Sequence, residues 1–262
     1  MLQASLGWAG SVSWAATAAL AVVGALAGFV DSIAGGGGLL TLPALLVAGL
    51  PPHLALGTNK GQSVFGSGSA LVRFARSPLL DRRRARQGFP FALLGAAAGV
   101  ALVSVVPQRL LTPLVMVLLL AVAVVVALRR TSAPSGPRRS RPAWLAAGIA
   151  AALAAYDGFF GPGTGTFLIM AYVALWNDPL DEASANAKVV NFASNLGSLA
   201  VFAAQGLVVW AVALPMGLGQ ALGAWTGAHL TVRRGRGLVR GFVILVSLAL
   251  VLRLAWQLLT GR

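Results

Sequence analysis

The sequence contains no cysteine, which excludes disulfides, thiolate metal sites and cysteine nucleophiles. Histidine occurs only at His53 and His229, far apart and without ligand-like spacing. With six acidic residues besides, the chain offers little material for a metal centre, and neither metal nor cofactor is expected. Charge is scarce as well. Only 10% of the 262 residues are charged and 58% are apolar, with a mean hydropathy of +0.83. A soluble fold cannot cover that much apolar surface with so thin a polar shell. Soluble enzymes, DNA-binding domains and disordered regulators are excluded, leaving an integral membrane protein.

The surplus is in base. The net charge is +14, and all but two of the basic residues are arginine. They cluster at Arg73–Arg86, Arg129–Arg141 and Arg233–Arg240, between apolar stretches. Such clusters mark cytoplasmic loops, because positive flanks resist translocation. They read as topology signals, so no nucleic-acid partner is expected. Residues 1–12 carry no Lys or Arg and the apolar run continues past Ala34, which reads as a first membrane segment instead of a cleavable signal.

Apolar stretches cover 13–34, 38–50, 54–75, 88–106 and 110–128, then 143–160, 163–176, 183–204, 207–232 and 238–259. A spanning helix needs about 20 residues. Segments 38–50 and 163–176 are shorter and begin in Gly-rich stretches, whereas 54–75 and 183–204 carry Lys, Asn, Ser and Gly inside. Broken, polar-bearing segments of this kind characterise secondary transporters. The expected fold is an all-α polytopic membrane protein with about 8–10 membrane segments, broken or re-entrant at the Gly-rich motifs.

Two homologous halves are expected, 1–128 and 143–262, joined by a basic cytoplasmic linker at 129–142. Sliding the sequence along itself until Lys60 falls on Lys188 superposes the only two lysines in the chain. The same register aligns 35–128 with 163–256 without a gap and places Pro51 on Pro179, Gly95 on Gly223 and Gly99 on Gly227. Basic loops exchange places in this register. The Arg73–Arg86 loop matches the uncharged Val201–Leu214, and the Val105–Arg109 turn matches the more basic Arg233–Gly237. If basic means cytoplasmic, the halves are inverted and the N-terminus is outside.

Two motif pairs carry the candidate chemistry. Gly35, Gly36, Gly37 and Gly38 cannot sit comfortably in one continuous helix, at about 1 kcal/mol each relative to Ala. Their counterpart is Gly163, Thr164, Gly165 and Thr166, after Pro162. Both read as unwound crossings, the first followed by a helix from about Leu39 whose free N–H groups attract anions. The second pair is Thr58, Asn59, Lys60 and Ser63 with Lys188, Asn191 and Asn195. A buried ammonium needs a partner or a wet cavity. Each lysine is therefore read as part of an anion site, with snorkelling or an ion pair to Asp31 or Asp157 as the alternatives. Asp31 and Asp157 precede the two breaks and are candidates either for carrying a coupling ion or for neutralising a lysine. Asp178, Asp181 and Glu182 read as a solvated loop. Trp8, Trp14, Trp144, Trp176, Trp210 and Trp256 read as interfacial anchors.

The stretches GFVDSIAGGGGLLTLPALL, GLPPHLALGTNKGQS, YDGFFGPGTGTFL and ANAKVVNFASNLGSLAVF resemble the TauE/SafE, or sulfite-exporter, family of permeases over residues 13–256. The likeness is to its broad bacterial branch. Gly61 departs from the pattern, since a larger residue often follows Thr-Asn-Lys in the family. The resemblance implies a multi-pass protein of the bacterial inner membrane moving sulfite, an organosulfonate or a related sulfur-containing or carboxylate anion. The partners are then a small anionic solute and the lipid bilayer. The alternatives are an intramembrane enzyme, for which no catalytic set is evident, and a structural membrane subunit without transport.

Overall fold

The computed structural model describes residues 13–128 and 137–260, with side chains described except at 127–128 and 236–260. Trp8, linker residues 129–136 and the side chains of Arg236, Arg240 and Trp256 therefore lie outside what is described. Every regular element among those described is helical. In order they are α1 Trp14–Ala34, α2 Gly38–Val47, α3 Pro52–Ala75, α4 Arg82–Ser104 and α5 Gln108–Leu128. There follow α6 Ala143–Phe159, α7 Thr164–Trp176, α8 Leu180–Ala204 and α9 Trp210–Thr260, which is interrupted at Gly235, where φ is 61°.

Four of these helices, within 14–34, 82–104, 108–126 and 180–204, are long and apolar enough to cross a bilayer. Their outer faces are greasy: Leu26, Leu94, Leu102 and Met116 are exposed. Such side chains would be aggregation sites in water and are ordinary in lipid. The helices begin and end where local chemistry dictates. Ser13 caps α1 by accepting the Ala16 N–H, and Asp81 caps α4 by accepting those of Arg83 and Arg84. Pro51 and Pro179, in extended backbone, precede α3 and α8.

Helix α1 packs along α9 and α4 along α6, while α3 lies against α9 and α8 and α8 against α4. Glycine makes the closest crossings possible. A Cβ at Gly223 would strike the Ala25 carbonyl, and one at Gly95 would strike that of Ala151. Likewise Gly227 meets the carbonyl of Phe29 and Gly99 that of Ala155. Gly61 is a milder case, since a Cβ there would lie 3.0 Å from the Val208 side chain and 3.1 Å from that of Ala213. This close contact between α3 and the start of α9 accounts for the small residue at that position.

Three expectations are corrected. Asp178 is not solvated: it is 1% exposed and ion-paired with Arg84, because Asp178 lies just past α7 where that guanidinium reaches it. Asp181 and Glu182 lie in the first turn of α8, where carboxylates complement the helix dipole, and Glu182 pairs with Arg138. Trp176 is buried instead of sitting at the interface, since Arg84 stacks over its ring at 4.9 Å and over that of Tyr172 at 5.2 Å. Trp14, Trp144 and Trp210 are exposed as anchors should be.

Candidate functional site

The polar residues of α3 and α8 converge in the interior, facing the ends of α1 and α6. Lys60, midway along α3, is 2% exposed, and its Nζ lies 2.8 Å from Oδ2 of Asp157 on α6. Lys188, on α8, is fully buried with its Nζ 2.6 Å from Oδ2 of Asp31 on α1. Neither lysine snorkels. Each takes its aspartate from the other side of the linker. Two buried ion pairs are expensive to desolvate and persist only where further hydrogen bonds satisfy them. Here Asp31 Oδ1 accepts the Gly37 N–H at 3.0 Å, Asp157 accepts the Ser194 hydroxyl, and Lys60 also donates to Asn195 Oδ1 at 3.4 Å.

Both Gly-rich motifs interrupt helices. Between α1 and α2 the chain turns through Gly35 and Gly36, with φ of 72° and 93°. Between α6 and α7 it turns through Gly161 and Gly163, with φ of 100° and 86°. Positive φ of this kind is cheap only for glycine. The interruptions are tighter than the sequence suggests. Gly38 already belongs to α2, and Thr164, Gly165 and Thr166 form the first turn of α7. Positive-φ glycines reverse the chain within a few residues, so no longer unwound stretch is needed. Neither α2 nor α7 has a side-chain cap at its N-terminus. The two breaks touch, since a Cβ at Gly38 would lie 3.1 Å from Pro162 Cα and one at Gly165 3.0 Å from Gly35 Cα.

Where they meet is a polar cavity of about 20 Å³. From the first break and α3 it is lined by Asp31, Gly36, Gly38, Asn59, Lys60 and Ser63. From the second break and α8 come Asp157, Gly161, Gly163, Thr164, Gly165, Asn191 and Asn195. That volume is about enough for one water molecule. A larger solute requires the helices around it to part.

The remaining candidate residues take supporting positions. Thr58 accepts the Val209 N–H at 3.0 Å and so ties α3 to the start of α9. The Thr166 hydroxyl donates to the Ala34 carbonyl at 3.1 Å and fastens α7 to the end of α1. Gly35 is pressed against the backbone of Gly165 and Thr166, Gly37 is bound to Asp31, and Lys188 lies behind Asp31, outside the cavity wall. One lining residue escaped sequence reasoning. Gln220, on α9, is 3% exposed, and its Oε1 has no hydrogen-bond partner among the described residues. The register that places Lys60 on Lys188 places Ala92 on Gln220, so the repeat gave no signal there.

Comparison with known proteins places the chain among membrane transporters. The family model for sulfite exporter TauE/SafE matches residues 20–254. A probable membrane transporter protein, ORF9, of a Sinorhizobium species is 40% identical over 239 residues, covering 90% of both chains. A probable membrane transporter protein of Haemophilus influenzae is 38% identical, covering 92% of this chain and 94% of its own. The probable membrane transporter protein YfcA of Escherichia coli K12 is 37% identical, covering 90% and 88%. No solved structure gives a significant match.

Proposed function

This chain belongs to the TauE/SafE sulfite-exporter family of multi-pass inner-membrane proteins, and on that premise we propose that it is a secondary transporter for a small anion. Sulfite, an organosulfonate, or a related sulfur-containing or carboxylate anion fits the chemistry. The observation that carries this reading is the cavity where two uncapped helix N-termini meet beside the Lys60–Asp157 pair. Helix N-termini favour negative charge, and transporters place such broken helices at the substrate site. Gly36, Gly38, Thr164 and Gly165 provide that backbone, while Asn59, Ser63, Asn191 and Asn195 provide side-chain hydrogen bonds.

Charge balance shapes the mechanism. The two lysines and two aspartates already sum to zero, so an incoming anion leaves the buried site net negative. In a poorly solvated interior that excess is costly. The anion takes the place of the Asp157 carboxylate beside Lys60, and a proton on Asp157 restores neutrality. Anion and proton then travel together. Asp31 and Lys188 form a second pair and hold the break between α1 and α2 in place through the Gly37 N–H.

Alternating access is supplied by two inverted halves, 1–128 and 143–262, joined by the basic linker 129–142. Helix positions support it: the register that places Lys60 on Lys188 also places the start of α3, Pro52, on that of α8, Leu180. It places the start of α4, Arg82, on that of α9, Trp210. The exchanged packing of α1 on α9 and α6 on α4 supports it as well.

Flux in proteoliposomes across a panel of sulfite, sulfonates and carboxylates, with and without a pH gradient, is the test. Saturable flux of at least one such anion, whose dependence on the pH gradient is lost in Asp157→Asn, is the expected result. A folded protein that moves none of them refutes the reading.

A further inference from the structure

A second cavity, of about 270 Å³, lies away from the first. It is framed by the first turn of α4, the segment leading into α6, and Trp176 at the end of α7. Four arginines line it: Arg83, Arg84, Arg139 and Arg141. Arg84 is committed to Asp178, and Arg141 donates to the Leu175 carbonyl at 3.1 Å. The guanidinium groups of Arg83 and Arg139, both exposed, have no partner among the described residues. Even with Asp81 in the wall and Asp178 beneath it, the site keeps a surplus of two positive charges.

The cavity does not stand alone on the helix surface. On α4, Arg83, Gln87, Phe91 and Leu94 follow at intervals of four, four and three residues, which places them on one stripe. The stripe begins in guanidinium and amide at the cavity and ends in Phe91 and Leu94, 50% and 64% exposed. From Arg83 to Leu94 it descends about 16 Å at 1.5 Å per residue. On the neighbouring α6, Trp144 is exposed, and beyond it the space around Gly148 is open. A cationic, hydrogen-bonding head leading onto an exposed apolar face has the polarity of a phospholipid.

We propose that this cavity holds the phosphate of an anionic phospholipid, with its acyl chains lying along the Phe91–Leu94 face of α4 and the outer face of α6. The Arg83 and Arg139 forks bind the phosphate oxygens. A planar guanidinium suits two of them at once, where an ammonium acts as a point charge. Trp176 and the stacked Arg84 form the rigid floor. The site stands apart from the transport cavity and does not depend on the transported solute.

The test is native mass spectrometry of the delipidated full chain titrated with phosphatidylglycerol or phosphatidylethanolamine. Phosphatidylglycerol is expected to bind more tightly. The double variant Arg83→Gln/Arg139→Gln is expected to weaken it by roughly fivefold for each arginine removed. Arg83→Lys/Arg139→Lys keeps the charge but loses the fork, and should weaken it less. The charge-matched control Arg82→Gln/Arg86→Gln, which alters arginines outside the cavity wall, should leave binding unchanged. Equal losses in the two Gln double variants would show that only general surface charge acts, and would overturn the site. Displacement of phosphatidylglycerol by inorganic phosphate would overturn the lipid assignment in favour of a free anion.

Discussion

Asn195 donates a hydrogen bond to Ser67 at 3.3 Å, and the two fall on each other in the register that places Lys60 on Lys188. Equivalent positions of two repeats touch each other only close to the axis that relates them. This contact therefore marks where the proposed twofold passes: between α3 and α8, beside the cavity. Asn191, which bonds Asn195 at 3.3 Å, falls on Ser63 in the same register, and both line the cavity wall.

The crossed ion pairs predict a non-additive response. Lys60→Met or Asp157→Asn alone strands a buried charge and should cost about 3–5 kcal/mol, whereas the double variant should recover most of that loss. Thermal unfolding in detergent measures it. Recovery of stability without recovery of anion flux separates the structural role of the pair from its part in transport.

Proton coupling predicts a direction. Acidifying the outside of proteoliposomes should accelerate anion uptake and move protons inward with it, followed by an internal pH dye. In Asp157→Asn the flux should no longer respond to the gradient. An unchanged gradient response in that variant removes Asp157 from the coupling step.

Inverted topology predicts accessibility. In a chain without native cysteine, single cysteines at Arg82, Arg86 and Arg138 should all label from the cytoplasmic side, and one at Gln108 from the opposite side. Labelling of 108 together with 82 excludes the inverted arrangement.

The glycine crossings predict a position-specific penalty. Gly223→Ala and Gly95→Ala force a methyl into a backbone carbonyl and should each lose about 1–3 kcal/mol or more. Gly148→Ala meets nothing within 4 Å and gains helix propensity, so it should be neutral or slightly stabilising. Melting temperatures of the three variants decide the matter.

Most helices were legible from their apolar runs, and the two breaks from glycine, because both signals are local. The Lys–Asp pairing was legible only as alternatives. Which aspartate meets which lysine depends on how α1 and α6 cross α8 and α3, and spacing along one chain does not encode that. Arg84 was hidden among neighbouring arginines that read as topology signals, and its partner Asp178 corresponds under the repeat to the apolar Leu50. Gln220 was hidden for the same reason, with Ala92 as its counterpart. Repeat symmetry finds what the halves share. It is blind to residues that serve one half only.

The crossed pairs also bear on how the chain is made. Asp31 emerges from the ribosome long before Lys188, and Lys60 is likewise inserted well ahead of Asp157. During that interval each early charge sits in the bilayer or its margin without its final partner, and the Gly95 and Gly99 faces of α4 lack α6. The first five helices are therefore complete before the partners of these charges and faces have been made. Splitting the gene at the linker is therefore expected to give two fragments that accumulate only when they are made together, which immunoblotting of each fragment alone and of the pair would measure.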